Sequence, residues 1–180
     1  MLAGASGVGS AAIQLGVAAA ARVIATAGSP EKLDFCRRIG ASHVIDHRHE
    51  DVGRRLAEIT GDHGVDVVFD PVGGPLTEAA RRRLAWEGRH LIVGFAAGGI
   101  PDFPANHVLV KNYTVLGVHW SAYTKHDHAV VDAAHRHILE LYERGQVKPI
   151  VARRVALDDV PDALSALESR DVLGRLVLVP

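Results

Sequence analysis

Two apolar patterns alternate along the chain. Short continuous runs occur at residues 22–27 (RVIATA), 43–46 (HVID), 65–69 (VDVVF), 89–95 (RHLIVGF) and 113–120 (YTVLGVHW). The first, RVIATA, is a β-branched run, and all five are short apolar stretches set off by turn or helix signals, which predicts strands. Between them lie stretches that predict helices at residues 8–20, 29–39, 50–60 and 74–85. Ser29-Pro30-Glu31 carries three helix-start signals at once: a capping hydroxyl, a proline in the first turn and an early acid. Gly40 and Gly61 stop two of these helices. The longest helix is expected at residues 127–144, where Val131, Ala134, Ile138, Leu141 and Tyr142 recur every three or four positions. Unbroken strand runs alternating with helices predict a parallel sheet covered on both faces.

The tail differs in texture. After Lys148-Pro149 comes a strand (VARRVAL), a short helix near residues 160–169 and a last strand (RLVLV), a separate structural piece spanning 148–180.

Composition narrows the function classes. The 180 residues are 48% hydrophobic and 23% charged, with a formal net charge of -1. That is the profile of a folded globule, with no field to attract nucleic acid or an anionic membrane. A single cysteine excludes an internal disulfide and suits the cytoplasm. Residues 1–21 carry no charged side chain, but glycines, serines and Gln14 dilute their apolarity and no basic segment precedes them. They read as a glycine loop feeding a small-residue helix rather than as a targeting or membrane segment.

That loop is MLAGASGVGSAAIQ. Taken literally, Gly7-x-Gly9-x-x-Ala12 matches a dinucleotide fingerprint. Placed by the strand-to-helix boundary, Gly4-x-Ser6-x-x-Gly9 matches with serine in the middle, and this register is preferred because it leaves Met1-Leu2-Ala3 as strand. In such a loop the main-chain N–H groups at a helix start receive a pyrophosphate. An NAD site places an acid about 20 residues further on, to hold the ribose 2′-hydroxyl. Here that count reaches Gly28, and no acid is present. Ser29, Lys32 and the pair His47-Arg48 instead offer a hydroxyl and positive charge to a 2′-phosphate. Taken singly, Lys32 and Arg48 are ordinary surface charges; the missing acid carries the preference for NADP over NAD.

The stretches GASGVGSAAIQLG, VIATAGSPEKLDFCRRIGASHVIDHR, GVDVVFDPVGG, LIVGFAAGGIP, LVKNYTVLGVHW and ESRDVLGRLVLVP together resemble the zinc-free quinone oxidoreductase group of the medium-chain dehydrogenase/reductases, which includes ζ-crystallin. The resemblance covers essentially the whole chain. It implies a Rossmann-like doubly wound α/β sheet with its first strand truncated. It also implies a domain of about 120 to 150 residues, an ordinary domain size, ahead of Met1. Residues 1–147 would form the NADP-binding domain, and 148–180 would return to pack on that further domain.

Carried over by position, the resemblance assigns the main chain of Ser6, Gly7, Val8 and Gly9 to the pyrophosphate. Gly28, Ser29, Lys32 and His47 would surround the adenosine ribose and its 2′-phosphate, His47 standing where some relatives have tyrosine. Gly74, Gly94, Phe95 and Ala96 would line the cleft near the nicotinamide ribose. Val118, His119 and Trp120 would reach the nicotinamide end, and Arg170 would return to the 2′-phosphate. The implied activity is hydride transfer from NADPH to a quinone or activated enone, with no catalytic residue assignable, in a homodimer joined through the edge strand at residues 113–118. The isolated chain is expected to turn over little or nothing. The alternative is a non-catalytic NADP-binding module or redox sensor.

Other residues invite other chemistry. His126 with His128, and His135 with His137, are spaced two apart; on a helix such side chains diverge by about 200°, so neither pair makes a metal clamp, and no metal site is expected. Cys36 reads as a small core residue. Asp70 at a strand end reads equally as a cap for the following turn or a contact to ribose. Trp86 and Trp120 read as core or interface anchors, and Arg81-Arg82-Arg83 as a solvated helix face.

Overall fold

Residues 1–4 occupy the middle of the sheet without forming a full strand. In the computed structural model, which describes residues 1–169 and 172–180, they bond to strands on both sides. Met1 N donates to Ile24 O at 2.7 Å, Thr26 N to Met1 O at 3.0 Å and Gly4 N to Thr26 O at 2.9 Å. On the other flank Leu2 N donates to Phe69 O at 3.2 Å. The segment therefore joins β1 (Ile24–Ala27) to β3 (Val65–Asp70). Outward from β1 lies β2 (His43–Asp46); outward from β3 lie β4 (Leu84–Ile92) and then β5 (Thr114–Gly117), all parallel. With residues 1–4 counted as the first strand, the spatial order is 3-2-1-4-5-6, the doubly wound dinucleotide-binding order, whose ligand crevice opens at the carboxyl ends of the first and fourth strands.

Helices cover both faces. α1 (Gly7–Ala18) and α2 (Pro30–Arg38) enclose a core of Ala5, Ile13, Ala25, Phe35 and Cys36. α3 (Val52–Thr60) and α4 (Gly74–Arg81) enclose Leu2, Ile24, Ile45, Leu56, Val68 and Leu84. Adjacent residues Ile24 and Ala25 thus belong to opposite cores, because successive side chains leave a strand on opposite faces. Each fully buried aliphatic contributes about 1.5–3 kcal/mol. Local signals start the helices: Ser29 Oγ accepts from Lys32 N and Pro30 opens α2, and Asp51 Oδ1 accepts from Arg54 N at 2.9 Å to cap α3.

The chain continues through α5 (Ala105–Lys111), α6 (Tyr123–His126) and α7 (His128–Glu143). It then forms β6 (Val151–Ala156), α8 (Val160–Glu168) and β7 (Arg175–Val179), with β6 and β7 a separate parallel pair. This tail is tied to α1. Lys148 N donates to Gln14 Oε1 at 2.8 Å, Gln14 Nε2 donates to Lys148 O at 3.0 Å, and Gly174 N donates to Ala5 O at 3.1 Å.

Several expectations are corrected. β3 is not covered along its whole length: Asp66 and Val67 are exposed. α4 ends at Arg81, and β4 begins at Leu84, five residues before the expected start, with Glu87 in the left-handed region at φ 58. α5 follows Pro104 in a segment that shows no clear helical period in sequence. Of the two readings of Trp86 and Trp120, core or interface anchor, the core is excluded: they are 67% and 48% exposed. Arg81 is not a solvated charge but is buried, 3.9 Å from Glu78. Among the described residues no helix is long and apolar enough to cross a membrane.

Candidate functional site

The glycine loop is built by close approach. A Cβ on Gly9 would overlap the Ala3 carbonyl oxygen, and one on Gly4 would lie 2.9 Å from both Ala25 Cβ and Cys36 Sγ. Only glycine lets α1 start this near the sheet. Ser6 caps the helix: its Oγ accepts from Gly9 N at 3.0 Å and donates to Ala3 O at 2.8 Å. These contacts accord with the Gly4-x-Ser6-x-x-Gly9 register. The N–H groups of Gly7 and Val8 sit at the first two helical positions, donors of a helix start at its positive end; the parallel bridge of Ser6 with Gly174 brings the Gly7 N–H to the Gly174 carbonyl.

Those donors face a cavity of about 610 Å³. Ser6, Gly7 and Val8 form one wall, and Pro71, Val72, Gly94, Phe95 and Ala96 another. This is the crevice between the carboxyl ends of residues 1–4 and β3. Arg175, which the sequence reading missed, also lines it; a Cβ on Gly7 would lie 2.9 Å from Arg175 Cγ. Arg175 is the only titratable side chain on the described walls.

Asp70 sets the floor. Its Oδ1 accepts from Val72 N and Gly73 N, each at 2.9 Å, and its Oδ2 accepts from the Thr77 hydroxyl and lies 3.0 Å from His90 Nε2. It caps the turn, so the other reading, a contact to ribose, is not the role its oxygens take. Burial pushes its carboxyl up, but the hydrogen bonds from His90, Thr77, Gly73 and Val72 outweigh this and hold it below the ordinary carboxylate value. The turn and the loop after β4 are then laced together by Ala96 N to Pro71 O, Ala97 N to Val72 O and Gly74 N to Gly99 O.

A second cluster lies at the end of β1. Gly28 is buried under His47 and Arg48: a Cβ there would meet His47 Cε1 at 2.9 Å and Arg48 Nε at 3.0 Å. Ser29 and Lys32 open α2 beside them. Burial lowers the pKa of His47, opposed by the Asp46 charge, and its Nδ1 has no hydrogen-bond partner. Asp46, beside His47 at the end of β2, is occupied by Arg48 N and His49.

The remaining candidates fall elsewhere. Gly74 spends its N–H on Gly99 and is not a cavity wall. Val118, His119 and Trp120 follow β5 and do not line the cavity either; Trp120 packs on Tyr123 with ring centres 5.8 Å apart. Arg170 lies outside the described residues. His126 and His128 are exposed, and among the described residues no three His, Cys, Asp or Glu side chains gather to hold a metal ion.

Residues 7–136 match the family model described as zinc-binding dehydrogenase. A quinone oxidoreductase-like protein 2 homolog of Nematostella vectensis is 35% identical over 153 residues, 84% of this chain and 42% of that protein. The crystal structure of Escherichia coli quinone oxidoreductase complexed with NADPH superposes with a TM-score of 0.89 at 31% identity, covering 99% of this chain and 56% of that one. A crystal structure of an NAD-dependent alcohol dehydrogenase superposes with a TM-score of 0.84, also at 31% identity, covering 99% and 50%. The chain spans about half the length of the relatives it matches.

Proposed function

The chain belongs to the zinc-binding dehydrogenase family of the medium-chain dehydrogenase/reductase superfamily, and from that premise we propose that it binds NADPH as the coenzyme-holding part of an oxidoreductase acting on a quinone or activated enone. The carrying observation is the crevice of about 610 Å³ with the start of α1, at Gly7 and Val8, on its wall. A pyrophosphate there would be received by bare main chain at a positive helix end. Arg175 would add a charge from the returning tail. The adenosine ribose would lie over Gly28, where Ser29, Lys32, His47 and Arg48 would meet a 2′-phosphate.

The hydride passed to the acceptor would come from the bound NADPH. The chain's own share is to hold and orient: Phe95 and Val72 exclude water from the inner cleft, and Asp70 keeps its floor rigid. Among the described residues Arg175 is the one acid or base on these walls, which fits a coenzyme-holding role in which the acceptor pocket is completed by other residues. It equally favours the second reading, a non-catalytic NADP module. An exposed β5 edge, with Leu116 and Gly117 open, suits pairing with a second copy.

Separate titrations of the chain with NADPH and NADH test the coenzyme assignment. NADPH is expected to bind tighter, and Lys32→Ala with Arg48→Ala to narrow the gap. Equal or tighter binding of NADH overturns the assignment. Reduction of a quinone by the chain supplied with NADPH separates the enzyme reading from the module.

A further inference from the structure

His47 covers the seat that a coenzyme's adenosine ribose would take at the carboxyl end of β1. It follows β2 and closes back on β1, where His47 N donates to Ala27 O at 3.1 Å. Its ring packs against Gly28: a Cβ on that glycine would stand 2.9 Å from His47 Cε1 and 3.1 Å from Nε2. A ribose over Gly28 needs the same space as the imidazole. The ring is half-buried, and its Nδ1 is sealed from water without a hydrogen-bond partner.

That sealed nitrogen ties the ring's position to its charge. A neutral imidazole carries one N–H, which can sit on Nε2 and leave Nδ1 bare; an imidazolium must donate from both nitrogens. In the covering position the second N–H would be a buried donor without an acceptor, the costly case. The surroundings push the same way. Burial, first, and then the charges of Arg48 in the same turn and Lys32 of α2 hold the ring's pKa below its ordinary value, against the pull of Asp46. His49 is turned away to Asp46 Oδ2, 2.8 Å from its Nδ1. An anion brought within hydrogen-bond reach of His47 reverses this balance, because it favours the charged form.

We propose that His47 sets coenzyme specificity as a proton latch: neutral, it closes over Gly28; protonated, it swings out and its imidazolium takes the 2′-phosphate. The latch rests on the NADPH reading above and adds that the phosphorylated coenzyme brings a proton in with it. A coenzyme without the 2′-phosphate must displace the same ring and has no anion with which to hold it charged. By reciprocity, a proton on His47 tightens NADP and NADP raises the affinity of His47 for the proton.

NADP⁺ and NAD⁺ differ only in the 2′-phosphate and serve as the probes. Calorimetric titration at pH 7, in two buffers of different ionisation enthalpy, should show uptake approaching about one proton per NADP⁺ and clearly less per NAD⁺. From pH 8 to pH 6.5 the affinity for NADP⁺ should rise at least about fivefold and that for NAD⁺ about twofold or less; the phosphate itself gains a proton only near pH 6. In nuclear magnetic resonance spectra at pH 7, the His47 Nδ1 should be bare in the free chain and protonated with NADP⁺ bound. His47→Phe, whose ring closes the seat but takes no proton, should bind NADP⁺ weakly and without pH dependence. His47→Ala should also lose the pH dependence but bind more tightly than His47→Phe, and His49→Gln should keep the wild-type slope. NADP⁺ binding that takes up no proton overturns the latch and leaves the coenzyme reading standing. So does a slope that survives in folded His47→Phe or is lost in His49→Gln. No NADP⁺ binding at any of these pH values overturns the coenzyme reading and the latch with it.

Discussion

Replacing Asp70 by alanine should be severely destabilising, and replacing it by asparagine should separate shape from charge. The carboxylate is 2% exposed and is shared by Val72 N, Gly73 N, the Thr77 hydroxyl and His90. Alanine would leave several buried donors without an acceptor, each costing about 1–3 kcal/mol. Loss of one partner from such a buried network typically costs about 3–5 kcal/mol in total, or roughly 6–20 °C in Tm for a chain of this size. Asparagine keeps one oxygen for Val72 and Gly73 but turns an amide N–H₂ towards His90 Nε2. The imidazole must then carry its proton on Nδ1, which is buried with no partner. One such orphan costs about 1–3 kcal/mol. The pH dependence follows from the sign of the shift. Asp70 titrates below its unfolded value in the folded protein, so its stabilisation is complete above the unfolded pKa and is lost as pH falls through it towards the folded one. The gap between wild type and Asp70→Asn should therefore shrink between about pH 5 and pH 3, since the asparagine variant has no proton to gain. Urea denaturation at pH 7 and pH 4 measures it. A loss under 1 kcal/mol for Asp70→Ala, or a gap to Asp70→Asn that stays constant with pH, would refute the reasoning.

Other substitutions probe the crevice and the core. Gly9→Ala should destabilise the fold and weaken NADPH binding together, because its methyl would overlap the Ala3 carbonyl; calorimetry and coenzyme titration check both. Gly73→Ala should also destabilise, since its φ of 74 strains any side chain and its Cβ would strike the Gly99 oxygen. Cys36, whose thiol burial pushes up to about 11, should resist thiol reagents at pH 8 until the chain is unfolded in urea.

What was legible in the sequence was what short-range chemistry decides. The Ser29-Pro30 start of α2 and the strand at residues 43–46 need only their own neighbours, and the glycine loop needs only room for α1 to approach Ala3. What stayed hidden depends on partners far along the chain. The role of Asp70 is chosen by His90, twenty residues away on the next strand. Leu84 and Ala85 have the composition of a helix end, yet they open β4, with Leu84 opposite Val65 of β3, because the chain turns at Arg83 and left-handed Glu87 lets the strand resume. Arg175 reaches the crevice only because Gly174 bonds back to Ala5 across the whole length of the fold. Val67 looks buried by its run of neighbours but is 40% exposed, since a strand's inner face is defined by what lies beside it.

Residues 1–4 set the width of the coenzyme crevice. They bond to both β1 and β3 and so hold the two halves of the sheet at one strand's separation. Towards the carboxyl side that separation leaves the crevice where α1 presents its positive end.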